Sequence, residues 1–144
     1  MTFEINSLVP EFWCTDFDAS LDFYTKTLGF EVAQRREEDT HAYLSFQSSQ
    51  IMLAWWTFDG TWEPWYPEPL VRPFGRGVNF QFMVQGVQHI YDRVIAADIK
   101  PFRDLYTAPT WKTDRVEERR QFIVLDPDGY ALRFSETISH TMID

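Results

Sequence analysis

Apolar residues recur at helical spacing in two places and at alternating spacing in several others, in the same order each time. Residues 7–15 are rich in apolar and aromatic types, which predicts a strand. Asp16 then predicts a helix start: it is a good N-cap, and Asp18 follows in the first turn, where the helix dipole favours negative charge. Phe17, Leu21, Tyr24 and Leu28 recur at helical spacing, and Gly29 ends the helix as a left-handed cap. Strands are predicted over 30–35, 41–47 and 50–57, separated by a polar turn over 37–40 and a tight turn at Ser48 and Ser49.

Residues 58–77 break the pattern. Gly60, Pro64, Pro67, Pro69, Pro73, Gly75 and Gly77 exclude a helix or a central strand, so the segment reads as a linker long enough to be a functional loop. The pattern then restarts. A strand is predicted over 78–84, with Phe80, Phe82 and Val84 on one face and Asn79, Gln81 and Met83 on the other. A helix carrying Val87, Ile90, Tyr91, Val94 and Ile95 follows and ends at Ala97 and Asp98. Strands are predicted over 100–105, 119–125 and 130–136, with a polar loop over 106–118, the turn Asp126-Pro127-Asp128-Gly129 and a frayed tail. Arg103, Tyr106 and Arg115, in or beside that loop, are candidate pocket-lining residues that take no orientation from the pattern.

Leu8 corresponds to Val78 and Phe17 to Val87, the same offset in both cases. The expectation is therefore an α+β fold of two βαβββ modules in one domain. Module 1 spans about 5–57, module 2 about 78–136, and 137–144 form a tail. Each sheet has one face covered by its helix. The other face is expected to be covered by the twin module or by a partner chain.

Composition narrows the function. The chain has 144 residues, 44% hydrophobic and 17% aromatic, with a formal net charge of −9. Phosphate binding needs clustered Lys and Arg, so nucleic acid is not an expected partner. Anionic membrane surfaces are disfavoured likewise. A small cation would be drawn to such a field. The single cysteine, Cys14, excludes an intrachain disulfide and sits in an apolar run, as an inert core thiol would. The N-terminal MTFEINSLVP has no basic start, and no apolar run reaches the roughly 18 residues needed to span a bilayer. A cytoplasmic location is the default expectation.

Three stretches resemble the vicinal oxygen chelate superfamily, which includes glyoxalase I, extradiol dioxygenases and bleomycin-resistance proteins. They are residues 16–24 with Leu28-Gly29-Phe30, the pair Ala42–Phe46 and Gln50–Leu53, and the closing hairpin 122–130. Metal-dependent members use His, Gln or Glu at four sheet positions. The resemblance sets those positions at Val9, Met52, Asn79 and Arg133. Valine cannot ligate, methionine is a soft donor, and a guanidinium repels a divalent ion. No metal or other cofactor is expected, and the reading favours binding over catalysis. The alternative is a glyoxalase-type lyase, isomerase or dioxygenase with an atypical metal site.

Alternation sets Glu11, Trp13, Met52, Trp56, Asn79, Gln81 and Arg133 on inward sheet faces, a mix of aromatic, small and polar groups typical of small-molecule sites. Tyr43 on the third strand joins them. Trp62 and Trp65, in the aromatic run 55–66, suit a stacking wall or a subunit seam. Bleomycin-resistance proteins, which the chain resembles in size, acidity and the stretch Arg119-Arg120-Gln121-Phe122, often carry a Trp just before that strand. It would fall near Glu118 here, and Trp111 is the nearest aromatic. The resemblance implies a homodimer that sequesters a planar, cationic organic molecule.

Overall fold

The computed structural model describes residues 3–35, 40–55 and 69–144. They form two compact units, one of residues 1–76 with 127–129 and one of residues 77–126 with 130–144. The fold is α+β: each unit is a four-stranded mixed sheet with a helix.

In unit 1 the strands are β1 (Glu11–Cys14), β2 (Glu31–Gln34), β3 (His41–Phe46) and β4 (Ser49–Trp55), in the order β1-β4-β3-β2. β1 runs parallel to β4, and the other pairs are antiparallel. Helix α1 (Phe17–Asp22) starts as its sequence dictates: Asp16 has extended backbone and its carboxylate accepts from the Ala19 N–H. The helix continues as a wider π turn over Phe23–Leu28 and stops at Gly29, at φ 91°. That conformation is nearly free of steric cost only for glycine. Alternation then does the sorting. Phe12, Cys14, Ala42, Leu44, Ile51 and Leu53 are all buried, on the face that takes Tyr24 and Leu28 from the helical segment. Fully burying a side chain of this size contributes about 1.5–3 kcal/mol.

Unit 2 repeats the plan with β5 (Asn79–Met83), α2 (Val87–Ala96), β6 (Arg103–Trp111), β7 (Arg115–Leu125) and β8 (Ala131–Met142), in the order β5-β8-β7-β6. Val87, Ile90 and Val94 of α2 are buried with Phe122, Val124, Leu132 and Phe134 of the sheet. The Phe134 ring stacks between Phe82, at 5.1 Å, and Phe122, at 5.4 Å.

Two expectations need correction here. Residues 106–118 are not a loop, and 137–144 are not a frayed tail. β6 runs on to Trp111, β7 starts at Arg115, and β8 continues to Met142, so the three strands extend together beyond β5. The charged run that suggests a loop is internally neutralised: Arg115 and Arg119 both bind the Glu117 carboxylate, all three on one face of β7. Pro109 is tolerated because β6 is an edge strand.

Candidate functional site

On the first sheet, the face turned away from α1 carries Glu11 and Trp13 from β1, Met52 and Ala54 from β4, and His41 and Tyr43 from β3. Register puts them in two rows, Glu11–Met52–Tyr43 and Trp13–Ala54–His41. Ala54 is buried and the other five are half-buried. The Tyr43 ring meets Phe3 at 5.4 Å and His41 at 6.0 Å. Burial pushes the Glu11 carboxyl above its usual range, and the charge of His41 partly offsets this. Val9 lies just before β1, and Glu11 is the residue set beside Met52. Trp56, Trp62 and Trp65 lie outside the described residues.

The corresponding face of the second sheet carries the row Gln81–Arg133–Ile123 and, next to it, Met83–Ser135–Gln121–Tyr106. Asn79 pairs with Ala131 one row further along and is exposed. The Gln81 side-chain amide donates to the Met83 sulfur at 3.1 Å, and that of Gln121 donates to the Tyr106 hydroxyl at 2.6 Å. Arg103 lies 3.7 Å over the Tyr106 ring. Three buried polar atoms on this face, Arg133 Nε, Gln121 Oε1 and Ser135 Oγ, have no hydrogen-bond partner among the described residues. Such atoms are uncommon, because an unsatisfied buried donor or acceptor costs about 1–3 kcal/mol.

The structure thus groups Glu11, Trp13, Met52 and Tyr43 on one sheet, and Asn79, Gln81 and Arg133 on the other. Trp111 joins neither group. It pairs with Val116 at the far end of β6, is 72% exposed, and stands five residues, roughly 17 Å of strand, from Tyr106. Gln121 is the addition that sequence reasoning missed, and Tyr106 is a candidate that it named without an orientation. Gln121 was legible in principle, two residues before Ile123 on an alternating strand. The orientation of Tyr106 was hidden by the loop assignment.

Two further polar residues have structural roles. The Glu136 carboxylate accepts from the Gly86 and Val87 N–H groups and caps α2. The Cys14 thiol is buried and donates to the Ala54 carbonyl at 3.2 Å. The donor set does not fit a divalent cation. Among the described residues no group of three or more His, Cys, Asp or Glu side chains could hold one. Of the family's four ligand positions only Asn79 offers a hard donor, and Arg133 brings a permanent positive charge.

No described helix is long and apolar enough to cross a membrane. The family model for the Glyoxalase/Bleomycin resistance protein/Dioxygenase superfamily matches residues 5–134. No curated protein matches the chain. A superfamily member from Vibrio splendidus 12B01 is 32% identical over 89% of this chain and 96% of its own, with a TM-score of 0.39. TioX from Micromonospora sp. ML1 is 23% identical over 92% and 99%, with a TM-score of 0.64. The bleomycin resistance determinant encoded on transposon Tn5 is 16% identical over 94% and 100%, with a TM-score of 0.59. The last two share the fold.

Proposed function

The chain belongs to the Glyoxalase/Bleomycin resistance protein/Dioxygenase superfamily, and from that premise we propose that it is a metal-free binding protein that sequesters a flat, cationic organic molecule on the face of its first sheet turned away from α1. The observation that carries this reading is the row Glu11–Met52–Tyr43 with Trp13 beside it. It sets a half-buried carboxylate among a thioether and aromatic rings. A planar cation gains ring stacking, cation–π attraction and a charge partner there at once. Partial burial strengthens the charge pairing relative to bulk water. The net charge of −9 raises the local concentration of cations.

In this reading Trp56, Trp62 and Trp65 supply further stacking surface. The two units act as one domain, the protein works as a cytoplasmic homodimer, and no cofactor takes part.

Titration of the intrinsic tryptophan fluorescence tests the proposal. Proflavine, a planar cation, and metal-free bleomycin should each quench it saturably at micromolar concentrations. Absence of quenching by both would overturn the reading. So would a stoichiometric divalent metal in the purified protein, which would favour an enzyme with an atypical metal site.

A further inference from the structure

We propose that the face of the second sheet turned away from α2 binds a flat aromatic hydroxy acid, with its carboxylate on Arg133 and Ser135 and its hydroxyl on Gln121. This inference rests on residues of the second sheet and on observations different from those on the first.

The first observation is the set of three unpartnered polar atoms. They come from two adjacent rows: Ser135 stands directly opposite Gln121, and Arg133 is two residues before Ser135 on the same strand. Two of the atoms, Arg133 Nε–H and the Ser135 hydroxyl, can donate. The third, Gln121 Oε1, can only accept. A simple anion would satisfy the donors and leave that acceptor unmet. A carboxylate with a neighbouring hydroxyl satisfies all three. The Tyr106 hydroxyl accepts from Gln121, which leaves its own proton free to donate to the same ligand.

The second observation is charge. Arg103, Arg115, Arg119 and Arg133 lie on or beside this face; the carboxylates among them are Glu117 and, at the far end on Arg115, Asp114. Both Glu117 oxygens are taken, one by Arg115 at 2.9 Å and the other by Arg119 at 2.8 Å. Among the described residues, neither Arg103 nor Arg133 makes an ion pair. A partly buried guanidinium without a counter-charge is costly, and a carboxylate ligand offsets that cost. In a chain of net charge −9, a local excess of guanidinium runs against the overall field.

The third observation is shape. Arg103 covers one side of the Tyr106 ring, while Ile123 and Met83 offer apolar edges in the same two rows. That surface suits a flat ring system.

The test is a titration of the isotope-labelled full chain with 3-hydroxy-2-naphthoate, read at the Arg133 Nε–H resonance. The resonance should move saturably. Arg133→Gln should weaken binding by at least about tenfold, because it removes a charged donor. Ser135→Ala should weaken it by about threefold. 2-Naphthoate, which lacks the hydroxyl, should bind several-fold more weakly than the hydroxy acid. If Arg133→Gln does not fold, the resonance of the unsubstituted chain still decides. A still Arg133 Nε–H at millimolar probe, or shifts confined to the Trp13 indole, would overturn the proposal. Proflavine is read at Trp13 and the hydroxy acid at Arg133, so either proposal can fail without the other.

Discussion

The Asp128 carboxylate accepts two hydrogen bonds from Thr15, one from its backbone N–H at 3.1 Å and one from its hydroxyl at 2.7 Å. Arg72 adds a charged contact at 3.1 Å. The Asp128 side chain is 1% exposed, so these partners substitute for its water. The other aspartate of the turn has a local role: Asp126 accepts from the Tyr130 N–H at 3.0 Å. We expect Asp128→Ala to lower stability by about 3 kcal/mol, since it orphans several polar groups together. Asp128→Asn should cost less. Urea unfolding of the variants measures both.

Gly129 should not tolerate a side chain. Its φ is 98°, and an added Cβ would lie 2.6 Å from the Pro73 Cα, a backbone atom that cannot rotate away. Gly129→Ala should therefore lower the unfolding free energy by about 2 kcal/mol or more, combining left-handed strain with a clash. A variant as stable as the parent would show that the turn is looser than described.

Glu136 should matter to helix α2 and not to ligand binding. Gly86 at the N-cap has no side chain with which to cap, so Glu136 does so from β8, at 3.1 Å and 2.9 Å. Glu136→Ala should cost about 1 kcal/mol. Amide exchange should quicken first at Val87 and its neighbours, with proflavine affinity unchanged.

Glu117 should give the fold a defined acid sensitivity. Hydrogen bonds from Arg119 and Arg115 hold its carboxyl below the usual 4.5. A carboxyl with a depressed folded pKa stabilises the fold above its unfolded value, and that stabilisation is lost as pH falls through the folded value. The urea midpoint of the parent chain should therefore drop more steeply than that of Glu117→Gln between about pH 5 and pH 3. Parallel pH profiles would mean the cluster contributes nothing to folding.

The parts of the fold legible in the sequence are those fixed by local chemistry. Asp16 and Gly29 bracket the first helical segment because one carries a capping carboxylate and the other tolerates φ near 91°. The repeat was legible because each module needs the same apolar face. The hairpin over 106–118 was not, because its stability lies in cross-strand pairing and in the Arg115–Glu117–Arg119 cluster, which looks like solvated charge in one dimension. The candidate site was half legible for a related reason. Alternation gave the faces that carry Glu11, Trp13 and Arg133. Register, which depends on partners far along the chain, decided that Glu11 stands beside Met52 and that Gln121 stands opposite Ser135.

The central claim is that a planar cation docks on the first sheet with Glu11 as its counter-charge. Proton–nitrogen correlation spectra of the labelled chain, recorded during titration with proflavine, address it directly through the Trp13 indole N–H. That resonance should shift saturably at neutral pH. The shift should weaken as pH falls through the raised Glu11 value, and Glu11→Gln should lower affinity by about tenfold and flatten the pH profile. An unmoved Trp13 resonance at saturating proflavine, or an affinity indifferent to Glu11→Gln, would contradict the account.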